Sequence, residues 1–251
     1  MMHFRDIGVG KPVVLIHGFL ENSDMWNEFS VELSKKYRII LPDLYGHGKT
    51  PSIAEVHSME KQAEGILEIL AHLKIDKAAF IGHSMGGYIA LSIARDFPEK
   101  VEKLALFFSS TMPDSQEKKQ QRLKAVETAK ENRESFIRLG VKNLFNQNNL
   151  DNLRDEIEFA RKLAMEMPLE GITAALKGMR ERKDTQTVLE KADYPIEIIL
   201  GKFDSAVDLE KFTSQIPQKS HIQLHILPVG HMGHLEAPVE SLDLIQSFLN
   251  R

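Results

Sequence analysis

The chain of 251 residues has no cysteine and only one tryptophan. Without cysteine, disulfide staples, thiol nucleophiles and cysteine-ligated metals are excluded. A chain this long buries a sizeable core without them. No run approaches the roughly 18 apolar residues of a membrane-spanning helix. The apolar stretch near the N-terminus, "PVVLI", is too short for a leader core and has no basic start before it, so a cytoplasmic location is the default expectation. Excess charge of one sign is missing too. The net charge is −4, which gives no reason to expect nucleic acid or an anionic membrane as a partner. Repeats and low-complexity tracts are absent, and one domain of ordinary size is expected, with room for an insertion.

Six short β-rich runs stand between turn residues: "PVVLIHG" (12–18), "YRIILPD" (37–43), "KAAFIG" (77–82), "EKLALFFSS" (102–110), "PIEIILG" (195–201) and "HIQLHILP" (221–228). Most are too continuously apolar to be covered on one face only, which points to a mostly parallel sheet. Helical patterns lie between them, at 58–73, 85–98 and 238–250. Strands alternating with helices predict a doubly wound α/β fold. The alternation stops from 111 to 189, where only helical patterns occur (134–145, 152–165 and 169–179) beside a nearly all-polar stretch at 115–130. This reads as a helical cap inserted into a core formed by 1–110 and 190–251. Its apolar residues Phe136, Leu139, Phe145, Leu163, Met165 and Met167 are expected to bury against one another, some of them roofing a pocket.

Ser84 sits in Gly82-His83-Ser84-Met85-Gly86, straight after an apolar run and straight before a helical one. A strand that reverses sharply into a helix forces its apex into a strained conformation and exposes the serine oxygen above the sheet. Glycines two residues to either side remove the Cβ atoms that would clash. The Met85 N–H opens the helix and can stabilise an oxyanion. A nucleophilic serine needs a base, and the base an orienting acid. His231 follows the last strand and Asp204 the one before, so both fall at the sheet edge where open α/β sheets place their sites.

The segments "VVLIHGFLENSDMW" (13–26), "LPDLYGHGKT" (41–50), "GHSMGG" (82–87), "GKFD" (201–204) and "GHMGHLEAP" (230–238) together resemble the α/β-hydrolase fold superfamily from end to end. Within it the chain is most similar to compact carboxylesterases. The resemblance implies a central sheet of about eight strands with the second antiparallel, a helical lid, and a Ser84–His231–Asp204 triad. It implies an oxyanion loop at His17-Gly18-Phe19, with the Phe19 N–H as second donor beside Met85. It also implies a small ester or thioester substrate, no cofactor and no metal. The species expected is a monomer or homodimer.

Rival readings attach to the same residues. His234, three positions after His231, is a second candidate base, and a two-histidine metal site is conceivable, although no helical H-E-x-x-H pattern exists. Asp208 is a rival acid that reads better as the N-cap of the helix after it. His17, Gly18, Trp26, Tyr45, His83 and Tyr88 are candidates for lining a pocket, with core burial the plain alternative. Tyr45 stands where the family commonly has proline. The same scaffold also carries carbon–carbon bond hydrolysis, lyase chemistry and perhydrolysis, and some relatives act as slow ligand sensors. Ser84 argues against haloalkane dehalogenation, which needs a carboxylate there. Tyr88 stands where menaquinone-pathway lyases usually have arginine.

Overall fold

The computed structural model describes residues 1–251. Seven strands, β1 (Phe4–Ile7), β2 (Lys11–Ile16), β3 (Tyr37–Pro42), β4 (Ala78–His83), β5 (Val101–Phe107), β6 (Ile196–Gly201) and β7 (Ile222–Leu227), form one sheet in the order β1-β3-β2-β4-β5-β6-β7. Only β1 is antiparallel to its neighbour. The sheet thus has seven strands where about eight were expected, and the antiparallel one is first in the chain, not second. Before β1, Met2 turns inward and is buried, and His3 O accepts from the Asp43 N–H at 2.9 Å.

Alternation along the strands sends neighbouring side chains to opposite faces. Val14 and Ile16 join one core with Phe80, while Val13 and Leu15 join another with Ile81. Helices cover both faces, which makes the sheet doubly wound. On the second face lie α1 (Asn27–Leu33), through Phe29 and Leu33, and the C-terminal helix Pro238–Asn250, through Ile245 and Phe248. On the first lie α2 (Met59–His72) and α3 (Met85–Asp96). Ser58 caps α2 by accepting from the Lys61 N–H. The α3 helix stops before Pro98, because a residue preceding proline is pushed out of the helical region.

Between β5 and β6 run α4 (Gln116–Glu131), α5 (Arg133–Leu144), α6 (Arg154–Glu166), α7 (Leu169–Arg180) and α8 (Gln186–Lys191). The polar α4 buries only Val126 and Ala129. Buried Asp114 pairs with Arg182 at 2.6 Å and also with Arg122, tying the start of this stretch to its end. Phe145, Leu163 and Met167 are buried, but Leu139 is 65% exposed, contrary to expectation. Ile137 and Val141 hold the inner face of α5, and a residue midway between them points outward. No helix is long and apolar enough to cross a membrane.

The parallel strands all run toward one edge of the sheet. The turns after β2, β4, β5, β6 and β7 therefore gather there, bringing together residues far apart in the chain.

Candidate active site

The turn after β4 reverses the chain from strand into helix. Ser84 has φ 50° and ψ −113°, a region that side chains rarely occupy. Its N–H donates to Phe107 O at 3.0 Å, and its carbonyl accepts from the Gly87 N–H at 2.9 Å and the Ser109 hydroxyl at 2.8 Å. The strand doubles back so closely that a Cβ at residue 82 would lie 2.3 Å from Gly86 O. One at residue 86 would lie 2.4 Å from Ile16 O. These contacts are the physical reason for glycine at both positions. Ser84 itself is partly exposed.

The His231 ring is held from one side. Its Nδ1 lies 2.7 Å from Asp204 Oδ2, and Asp204 Oδ1 accepts from the N–H groups of Ala206 at 2.7 Å and Val207 at 3.2 Å. Burial pushes the Asp204 carboxyl up, but the His231 charge and these hydrogen bonds outweigh it and hold the group below its ordinary value. The Ser84 hydroxyl and His231 Nε2 make no hydrogen bond to each other. The His231 N–H donates to Leu144 O at 2.7 Å, so the end of α5 helps to seat this loop. Asp208 accepts from the Lys211 N–H as the N-cap of α9 (Leu209–Thr213).

The turn after β2 is pinned through His17. Its Nε2 accepts from the Leu44 N–H at 3.0 Å, so the ring hydrogen is on Nδ1, which donates to Gly18 O at 2.8 Å. Burial keeps this ring neutral by lowering its pKa. In a trans peptide the N–H points opposite the carbonyl. Fixing Gly18 O therefore aims the Phe19 N–H the other way. Neither that N–H nor the Met85 N–H finds an acceptor in the protein.

Two carboxylates without an assigned role in the sequence organise the loops. Glu236 Oε2 accepts from Gly230 N at 3.1 Å and Asn146 N at 2.9 Å, and its Oε1 accepts from Met232 N at 3.2 Å, so one side chain gathers the loop around His231. Glu21 Oε2 accepts from Gly18 N at 2.6 Å and lies 2.8 Å from His83 Nδ1. Glu21, His83 and His234 each bring one metal-ligating atom to within 4.8 Å of the others, a grouping different from the His231–His234 pair considered from sequence. Glu236 fits the family pattern of histidine straight after glycine with Glu and Pro further on, whereas the only signal for Glu21 was its proximity to the His17-Gly18 motif.

The candidate pocket residues divide. Trp26 is wholly buried on the second face, against Phe29 and Phe107. Tyr45 is buried in the first core beside His57, and His83 is buried beneath the elbow. These three are interior side chains. Tyr88 lines a polar cavity of about 10 Å3, where the Arg182 guanidinium stacks on its ring at 4.1 Å. An apolar cavity of about 10 Å3 lies beside Phe19 and Met232, walled by Val141, Leu144 and Leu163.

Comparison with known proteins identifies the fold family. The family model described as alpha/beta hydrolase fold matches residues 11–238. The chain belongs to that family. Its structure matches that of a thermophilic esterase from Thermogutta terrifontis with a TM-score of 0.93 and 31% identity, over 99% of this chain and 93% of that one. In sequence it is 29% identical, over 95% of its length and 90% of the relative's, to a Bacillus subtilis protein named provisionally as a 2-succinyl-6-hydroxy-2,4-cyclohexadiene-1-carboxylate synthase. An uncharacterized protein of Mycobacterium tuberculosis is 37% identical over 103 residues, a match that spans only 30% of that relative's length.

Proposed function

We propose that the protein is a serine hydrolase that cleaves small carboxylic esters or thioesters through an acyl-enzyme on Ser84. His231 takes the Ser84 proton as the oxygen attacks the carbonyl carbon, and Asp204 holds the Nδ1–H tautomer and stabilises the imidazolium. The Phe19 and Met85 N–H groups receive the oxyanion, a pair worth several kcal/mol when aimed at the transition state. The alcohol or thiol leaves with the proton from His231. Water, deprotonated by the same ring, then releases the acid and restores Ser84. The helices from 111 to 189 act as a cap over this edge.

The observation that carries the reading is the hydrogen bond from His83, the residue before Ser84, to the backbone of His231 at 3.0 Å. It brings the elbow and the Asp204-bound imidazole side by side, although 148 residues separate His83 from His231. The missing Ser84–His231 bond is compatible with this, since such bonds often tighten only when substrate binds. The esterase likeness and the two free N–H groups add support. Turnover of p-nitrophenyl acetate and butyrate by the wild type and by Ser84→Ala tests it. Multiple turnover and fluorophosphonate labelling, both abolished in the variant, are expected. A single stoichiometric burst would favour a slow sensor, and no acylation at all would overturn the proposal.

A further inference from the structure

We propose that Glu21 and His83 form a buried ion pair that holds the oxyanion loop and the His231 loop in register, and that both are positioning residues for the Ser84 reaction. This deepens the serine-hydrolase reading and rests on it. The argument starts from the ring of His83. Its Nε2 lies 3.0 Å from the carbonyl oxygen of His231. A carbonyl only accepts, so Nε2 carries a hydrogen. Its Nδ1 lies 2.8 Å from Glu21 Oε2, which already accepts from the Gly18 N–H at 2.6 Å. A second proton must therefore lie between Nδ1 and the carboxylate. Burial opposes charge on both groups, but their mutual attraction and hydrogen bond overcome it, lowering Glu21 to about 2 and raising His83 above its ordinary value. The proton belongs to His83, which is an imidazolium.

The connection runs in one line: Gly18 N–H, the Glu21 carboxylate, the His83 ring and the His231 carbonyl. It joins the turn after β2, the end of β4 and the turn after β7. The first two are adjacent strands, but β7 lies three places from β4 in the sheet, so its turn has to reach back across the edge to bring His231 near Ser84. Both ends of the pair grip backbone of loops that carry proposed catalytic groups. An apolar pair could fill the space but could not hold either end. The other ionisable groups facing the pair are His17 after β2, Asp204 after β6, and His231 and His234 after β7. His234 is neutral, its pKa lowered to about 3 mainly by burial. Its Nε2 stands 3.8 Å from Glu21 Oε1, which has no partner. A metal ion shared by these three side chains would need His83 Nδ1 bare, so metal and proton exclude each other.

Glu21→Gln, His83→Gln and the double variant test the proposal on the whole protein, with the wild type as reference. A displacement of about 1 Å at a reacting centre costs about 100-fold. Each single variant is expected to lose about 10- to 100-fold in kcat with KM nearly unchanged, and the double variant should lose no more than the worse single one, because the pair acts as a unit. Multiplying losses, or a kcat within threefold of wild type, would overturn the proposal. Should the variants fail to fold, nitrogen-15 NMR of the wild type decides independently. Two protonated ring nitrogens on His83 at neutral pH are expected, and one bare nitrogen would overturn it. Stoichiometric metal in the purified protein would overturn it as well. Absence of turnover and labelling in the wild type would instead remove the hydrolase reading and leave the ion pair to the NMR result.

Discussion

Asp204→Asn isolates the part of the proposed mechanism that depends on a single proton. The carboxylate has two unequal oxygens: Oδ1 receives two backbone N–H groups, at 2.7 and 3.2 Å, and Oδ2 faces His231 Nδ1 at 2.7 Å. An amide has one acceptor and one donor end. Turning its NH2 toward two N–H groups would leave both buried donors unmatched, at a cost of about 1–3 kcal/mol each. The amide oxygen therefore takes the Oδ1 place and the NH2 faces the imidazole. Nδ1 must then accept, which moves the ring hydrogen to Nε2, the atom that has to take the Ser84 proton. Loss of the counter-charge adds to this wrong tautomer. The expected fall in kcat is about 10,000-fold, or about 5.5 kcal/mol of transition-state stabilisation. Burst and steady-state hydrolysis of p-nitrophenyl butyrate would measure it, with circular dichroism to confirm the fold. A variant within tenfold of wild type would refute the tautomer argument and remove Asp204 from the reaction.

Gly86→Ala sets a Cβ 2.4 Å from Ile16 O and 2.7 Å from His17 O, so α3 must move off the turn after β2. A loss of about 1–3 kcal/mol is expected in urea unfolding, and activity should fall further than the loss of folded protein accounts for. Ser84→Gly releases the strain at φ 50°, worth about 1–3 kcal/mol, against about 0.5–1 kcal/mol of added unfolded-state freedom. It should melt above Ser84→Ala, which keeps a Cβ at the strained apex, and equal melting temperatures would count against strain there. Glu21 sits at about 2 folded against 4.5 as its ordinary value, so below pH 4.5 the unfolded chain takes up a proton that the folded one refuses. The stability from this group is present above pH 4.5 and drains away toward pH 2, and Glu21→Gln should flatten the acid side of a melting-temperature profile.

Six of the seven strands were legible because each is a short β-rich run closed by a turn residue, most of them continuously apolar. The missed one, β1, is Phe4-Arg5-Asp6-Ile7, a half-exposed edge strand whose charged centre hides the β signal. The elbow was legible for a different reason. Close backbone approach demands glycine at fixed offsets from Ser84, and fixed offsets survive in a linear text. The supports beneath it carry no such offsets. Glu21 and His83 are 62 residues apart and meet only because β2 and β4 are neighbours in the sheet. Trp26 carried two readings, pocket lining or core, and nothing along the chain separates them: the short turn from Ser23 to Trp26 carries the ring to the second face, against Phe107.

The same edge of the sheet is where the molecule departs from what stability alone would choose. His17, His83, His231, His234 and Glu21 are all buried there, and the Asp204 carboxylate is only 1% exposed. Buried polar groups cost free energy unless fully bonded, and an ionised pair often does no better than apolar residues of the same volume. Even so the bonding is incomplete, since Glu21 Oε1, His234 Nδ1 and Trp26 Nε1 have no partners. Buried ionisable groups occur elsewhere too, in the Asp114–Arg182 pair and at Glu197, beside two cores of aliphatic and aromatic side chains. A fold that buries so many polar groups at one edge gains no stability from them. What it gains is directional constraint: each polar contact fixes a backbone carbonyl, an N–H or a ring orientation, and apolar packing supplies none of these. On the proposed mechanism, the buried charges are the means by which turns from separate strands keep one relative geometry, which acyl transfer at Ser84 would require and folding alone does not.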